Sequence, residues 1–173
     1  VMTKEFAKEV DFLSIGTNDL IQYLMAVDRG NDLVSGLYQE FSPAVIRTLN
    51  HIVTEGNTTG KEISFCGEMA ADTLAIPLLI GLGYKSLSMS PSTIPYAKRI
   101  IRYLDYENTK KLAEECLDCC TESEITHRLE KFFKEGTLLN QEFTKDSSKT
   151  IRQYLQSVDQ DLMVTGFLRF SLK

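Results

Sequence analysis

The segment Asp11-Phe12-Leu13-Ser14-Ile15-Gly16-Thr17-Asn18-Asp19-Leu20 decides how the chain is read. Residues 11–15 form a short β-prone run stopped by Gly16. Asn18-Asp19 is predicted to cap a helix carrying Leu20, Tyr23, Leu24 and Val27 at three- and four-residue steps. The same order returns twice downstream. Ile63-Ser64-Phe65-Cys66 ends at Gly67, after which Asp72 is predicted to cap an apolar helix over 74–82 that Gly81 and Gly83 bring to a close. Ser86-Leu87-Ser88-Met89-Ser90 leads through Pro91 and Ser92 into a helix carrying Ile94, Ala97, Ile100, Ile101 and Leu104. Three strand-helix units, with strands short and nearly all apolar on both faces, predict an α/β fold in which helices cover a parallel sheet.

The flanking segments are helical in pattern. Met2, Phe6, Ala7 and Val10 share one face of a helix already under way at the first residues. Ser42-Pro43 places a cap and a first-turn proline before the stripe Val45, Ile46, Leu49, Ile52 and Val53, which runs to Gly56. A further helix is expected over 107–117. Another is opened by Thr121 and Glu124, the spacing of a capping box, and carries Ile125, Leu129, Phe132 and Phe133. From Thr137 the composition turns polar, through Asn140, Gln141, Lys145, Asp146, Ser147, Ser148 and Lys149. Ile151, Leu155, Val158 and Leu162 then share a helical face. Residues 162–172 are apolar and β-prone, so they need a cover. The expected division is a domain over 1–135 and a linker with an appendage over 136–173.

Composition narrows the function classes. A 173-residue chain that is 43% hydrophobic can build a real core, and its 25% charged content argues against disorder. No apolar run approaches the roughly 20 residues that span a bilayer. The net charge of −5 comes without a Lys/Arg block, so neither nucleic acid nor an anionic membrane is an expected partner. Cys66, Cys116, Cys119 and Cys120 are few, and three of them crowd together, which favours a reducing, cytoplasmic setting over a disulfide framework. Residues 1–10 carry four charges and no secretory leader pattern. The length falls short of the about 250 residues of a complete eight-fold β/α barrel.

In parallel sheets, ligands bind beyond the carboxyl ends of the strands, so chemistry is sought in the segments after each one. Gly16-Thr17-Asn18-Asp19 offers a carboxylate for a hard cation, an amide, and backbone N–H groups at a helix start. A plain capping role is the simpler alternative. Asp28-Arg29-Gly30-Asn31 offers a guanidinium fork for phosphate or carboxylate, against a solvated charge after a helix. Cys66-Gly67-Glu68 puts a thiol at a strand end with room beside it, against an inert buried cysteine. Cys116, Cys119, Cys120 and His127 lie in a helical pattern and lack the spacing of a zinc site. His51 lies on the predicted 42–56 helix, where a surface role outweighs a catalytic one. No phosphate-binding glycine loop, nucleophile elbow or HExxH motif is present.

Taken in order, residues 12–20 (FLSIGTNDL), 28–31 (DRGN), 66–72 (CGEMAAD) and 88–90 (SMS) resemble the phosphoenolpyruvate-utilising enzymes. Within them they are most similar to the enzyme I branch, the phosphoenolpyruvate-protein phosphotransferases of bacterial sugar uptake. Pyruvate phosphate dikinases and phosphoenolpyruvate synthases share the GTND and CGE elements but usually differ at Arg29-Gly30-Asn31 and at residues 69–72. The resemblance runs over about residues 1–136.

It implies that the three βα units are the last three of a (β/α)8 barrel that binds phosphoenolpyruvate and Mg2+. It further implies Asp19 as the magnesium-binding aspartate, Asn18 as a substrate-holding neighbour, Arg29 as the phosphate-binding arginine and Cys66 as the acid that protonates the enolate. A histidine-bearing phosphocarrier protein and a second copy of the barrel are the implied partners. The family's second magnesium carboxylate, two further arginines and the phosphoryl-accepting histidine have no counterpart in this sequence. A dikinase fragment and a non-catalytic binding or dimerisation module are the competing expectations. The tail beyond residue 136 has no counterpart in the resemblance.

Overall fold

The structure, a computed structural model, describes residues 2–136, 142–143 and 146–158. Strands β1 (Phe12–Gly16), β2 (Glu62–Cys66) and β3 (Ser86–Ser88) form one parallel sheet in the order β1-β2-β3. Gly16 is in register with Cys66, and Cys66 with Ser88, so all three strands finish level with one another. That alignment brings the segments that follow each strand, starting at Thr17, Gly67 and Met89, to one end of the sheet.

Helices α2 (Thr17–Met25) and α3 (Pro43–Thr59) connect β1 to β2. A short 3-10 turn (Glu68–Ala71) and α4 (Ala75–Leu82) connect β2 to β3. Helices α1 (Thr3–Glu9), α5 (Ile94–Tyr103), α6 (Tyr106–Leu117) and α7 (Glu122–Gly136) complete the main body. The chain forms two compact units, Val1–Lys131 and Phe132–Lys173. In the second, β4 (Glu142–Phe143) pairs antiparallel with β5 (Asp146–Thr150), followed by α8 (Ile151–Val158).

The core of the first unit is built where hydrophobic periodicity is strongest. Val45, Ile46, Leu49 and Val53 of α3, which packs against β2, are buried, as is Phe65 of β2. Phe65 meets Tyr84 edge-on at 5.0 Å between ring centroids, and the Tyr84 hydroxyl donates to the Leu49 carbonyl at 2.8 Å. Burial pushes the Tyr84 phenol well above its ordinary range, so it remains a donor. Helix α4 is apolar all round because it is enclosed, with Ala75, Ile76, Leu78 and Leu79 fully buried and α6 packed against it. Gly81 permits that approach, since a Cβ there would strike the Thr109 carbonyl.

Several expectations shift. Asn18-Asp19 do not cap α2. The helix begins at Thr17 with Gly16 in the capping position, because β1 runs straight into the helix without a loop. The buried face of α2 carries Thr17 and Ile21, while Tyr23 is 86% exposed. On α1 the buried residues are Thr3 and Ala7, with Met2 and Phe6 outward. Helix α3 passes through Gly56, which is buried where a Cβ would collide with Ile63, and ends at Gly60 in the left-handed conformation. On α5 only Ala97 is buried; Ile94 and Ile101 face out. Asp72 does not cap α4, whose capping position is Leu74; its carboxylate takes the Leu74 N–H at 2.7 Å just ahead of the helix, whereas the Thr121/Glu124 capping box closes reciprocally at 3.2 and 3.3 Å. Part of the expected polar linker forms the antiparallel pair of β4 and β5, and within β5 Asp146 accepts from both the amide and the hydroxyl of Ser148. Leu162 and the apolar stretch 162–172 lie outside the described residues.

Candidate functional site at the strand ends

Cys66 closes β2, and its sulfur lies between two groups of β1. It donates to the Ile15 carbonyl at 3.3 Å and accepts from the Ser14 hydroxyl at 3.7 Å. Parallel pairing causes this, because Ser14 and Cys66 lie on one face of adjacent strands in a register fixed by the ladder. The Cys66 carbonyl accepts from the fully buried Thr17 hydroxyl at 3.0 Å. Gly67 then turns the chain with φ 120°, a conformation reserved for glycine, and a Cβ there would run into the Thr17 hydroxyl. The β2 end can thus lie close against the start of α2.

Across that contact, the Glu68 N–H donates to Asn18 Oδ1 at 3.2 Å, which turns the Asn18 amino group outward. Asp19 sits in the first turn of α2, where the helix N-terminus favours a negative charge, and its carboxylate is exposed. Gln22 reaches it at 3.5 Å and also accepts the Arg29 backbone N–H at 3.1 Å. The Arg29 guanidinium forms an ion pair with Glu68 at 2.8 Å and lies 5.2 Å over the Tyr38 ring. Asp28 and Asn31 fix the backbone around Arg29 through contacts to the Gly30 and Leu33 amides. The structure therefore links Asn18 and Arg29 through Glu68, places Asp19 on the same helix turn, and puts Cys66 immediately before Gly67. Ser90 and Ser92, after β3, bond each other at 3.0 Å and touch none of these.

Sequence reasoning passed over Thr17, Tyr38 and Glu40. Glu40 is half-buried; burial first, then the carboxylates of Asp72 and Glu68, raise its pKa, against the pull of Arg29. Tyr38 is raised by burial first, then by Glu40. Neither residue belongs to a periodic element, so only the folded path after Asn31 brings them here.

Among the described residues no group of three or more His, Cys, Asp or Glu is placed to hold a metal ion. Asp19, the one carboxylate expected to hold a cation, is exposed and accepts from Gln22 at 3.5 Å, while Glu68 is engaged by Arg29. One carboxylate suits magnesium, which takes one or two from protein and fills its shell with substrate oxygens and water. Cys116 and Cys119 are buried, with Cys119 accepting from Arg128 Nε at 3.2 Å; they are core residues. A mainly apolar groove of about 540 Å³ along β3 and α5 is lined by Ile80, Leu87, Met89, Ile94 and Ile101 with Lys85 and Lys98 among them, and it includes none of Asn18, Asp19, Arg29 or Cys66. The polar groups Asn18, Arg29 and Glu68 meet at the strand ends instead. No described helix is long and apolar enough to cross a membrane.

A family model described as PEP-utilising enzyme, PEP-binding domain, matches residues 1–106. A second, described as elongation factor TS, matches residues 97–173. The phosphoenolpyruvate-protein phosphotransferase of Listeria monocytogenes is 47% identical over 135 residues, covering 78% of this chain and 24% of that protein. The protein of the same name from Staphylococcus carnosus is 48% identical over 131 residues, 76% of this chain and 23% of its own. That of Lactococcus lactis is 42% identical over 135 residues, 78% and 24%. The chain spans about a quarter of the length of the curated relatives it matches. With the PEP-binding model covering more than half of its residues, the chain belongs to the family of PEP-utilising enzymes.

Proposed function

We propose that this chain is the phosphoenolpyruvate-binding, carboxyl-terminal piece of a phosphoenolpyruvate-protein phosphotransferase. It would supply the last three βα units of a (β/α)8 barrel from residues 1–135, with 136–173 as an appendage. The parent would move the phosphoryl group of phosphoenolpyruvate to a histidine of its own and then to a histidine-bearing carrier protein, in the cytoplasm and as a dimer through its barrels. One observation carries the reading: the level strand ends bring Cys66 beside Thr17, and join Asn18 to Arg29 through Glu68. Both outer strands, β1 and β3, pair on one side only among the described residues, as strands of a part-barrel would.

Arg29 would bind phosphoryl oxygens through its planar fork. Asn18, its Oδ1 occupied by the Glu68 amide, would offer its amino group to a substrate oxygen. Asp19 would hold magnesium, which when bound neutralises charge on the transferring phosphoryl group. Once that group has left, pyruvate enolate needs a proton at carbon. The Cys66 S–H bond breaks as the new C–H bond forms, and the thiolate recovers its proton from water. The Ile15 carbonyl, 3.3 Å from the Cys66 sulfur, would orient the S–H before transfer.

The test is a full-length phosphotransferase carrying this chain, supplied with magnesium and phosphoryl-labelled phosphoenolpyruvate. Label on histidine with one pyruvate released per label is expected. Labelling that requires ATP would reassign the parent to the dikinases, and a failure to bind phosphoenolpyruvate would leave an assembly role.

A further inference from the structure

We infer that Arg29 sits between two groups of opposite effect on an incoming phosphorylated anion: the Tyr38 ring positions the guanidinium, and the Glu68 carboxylate is a resident counter-ion that the anion displaces. The inference rests on the reading of Arg29 as the phosphate-binding group.

Three separate segments converge on this arginine. Gln22 of α2 takes its backbone N–H, Tyr38 lies beneath the guanidinium at 5.2 Å, and Glu68 of the 3-10 turn meets one terminal nitrogen at 2.8 Å. The two side-chain contacts differ in exposure. The Glu68 side chain is 66% exposed and that of Arg29 35%, so their pair is screened and easily exchanged. The Tyr38 hydroxyl oxygen is buried and has no hydrogen-bond partner among the described residues. The hydroxyl therefore does not anchor the side chain, and the contact the ring makes is with the cation. A guanidinium within about 6 Å of a ring centroid is drawn to the ring face, and salt screens that contact less than an exposed ion pair.

Glu68 occupies one of the five N–H donors of the guanidinium. A phosphoryl group, with more charge and a bidentate geometry, competes well for that fork and repels the carboxylate already there. Displacement leaves the local backbone in place, because the Glu68 amide stays bound to Asn18. Removing the ring and removing the carboxylate charge should therefore act in opposite directions on substrate affinity.

The experiment measures KM for phosphoenolpyruvate and kcat for pyruvate release in a full-length phosphotransferase carrying this chain. Tyr38→Leu is expected to raise KM by about three- to tenfold with little change in kcat, and Tyr38→Phe, which keeps the ring face, to recover the lower value. Glu68→Gln is expected to lower KM by about threefold. A KM for Tyr38→Leu equal to that of the phenylalanine variant, or a KM raised by Glu68→Gln, overturns the inference. Should the leucine variant not fold, the sign of the Glu68→Gln effect decides alone. Phenylglyoxal modification of Arg29, mapped by mass spectrometry in the 173-residue chain, separates this inference from the functional reading. Faster modification in Tyr38→Leu and Glu68→Gln than in the wild type supports the seat even if phosphoenolpyruvate is not the substrate. Equal rates in all variants overturn it.

Discussion

The Thr17 hydroxyl donates to the Cys66 carbonyl across 3.0 Å, binding the first residue of α2 to the last residue of β2. Thr17 is fully buried, so its hydroxyl has no solvent to turn to. Thr17→Val keeps the shape and leaves the carbonyl without this donor, which should cost about 1–3 kcal/mol. A fall in melting temperature of about 2–4 °C per kcal/mol is expected, with Thr17→Ser retaining most of the stability. Thermal unfolding followed by circular dichroism measures both. A valine variant as stable as the wild type would show that the bond contributes nothing net.

Cys66→Ala follows from the proposed acid role. In a full-length phosphotransferase carrying this chain, pyruvate release should fall by about a hundredfold or more, with phosphoenolpyruvate binding largely kept. Steady-state turnover and calorimetry on the same preparation separate the two. Normal turnover by this variant would end the acid assignment.

Glu40 gives a pH dependence with a definite sign. Burial, reinforced by Asp72 and Glu68, raises its carboxyl above the usual 4.5. The folded state then binds the proton more tightly than the unfolded chain, so stability falls as pH rises through the window between 4.5 and the raised value. Above that window the charged group is a standing cost. Glu40→Gln should therefore unfold at higher urea concentration than the wild type at neutral pH, and the two midpoints should converge below pH 4.5. A glutamine variant less stable than the wild type at neutral pH would contradict the sign.

The four cysteines should separate by reactivity. Cys120 is exposed and Cys66 partly so, whereas Cys116 is buried and its thiol is pushed up to about 12, chiefly by that burial. Iodoacetamide near neutral pH, with the products mapped by mass spectrometry, should label Cys120 first and Cys66 next, leaving Cys116 unmodified until the protein unfolds. Early labelling of Cys116 would mean that α6 opens readily.

Much of the main body was legible because local chemistry and the final environment agree. The apolar stripe of residues 45–53 and the all-round apolar 74–82 segment become the buried faces of α3 and α4. The Thr121/Glu124 pair forms the box its spacing announces. Where periodicity was ambiguous the burial went elsewhere: Ile21, not Tyr23, faces inward on α2, because the helix starts at Thr17 and its rotational phase is set by the Thr17 bond to β2. The antiparallel pair of β4 and β5 was hidden in a polar stretch, since residues such as Asp146 and Ser148, bonded to each other within β5, carry no hydrophobic pattern.

The alternation of strands and helices and the parallel class of the sheet were already written in the chain. Turn glycines, caps and apolar spacing are local properties, each read within a dozen residues. Only packing decided which segments meet. Level registers of three strands bring Gly16, Cys66 and Ser88 to one edge, and the path after Asn31 returns Tyr38 to the face of Arg29. Glu68, 39 positions from Arg29, becomes its ion-pair partner. Such pairings depend on how separated segments pack, and side-chain patterns along one segment carry no record of the neighbour that packing will supply.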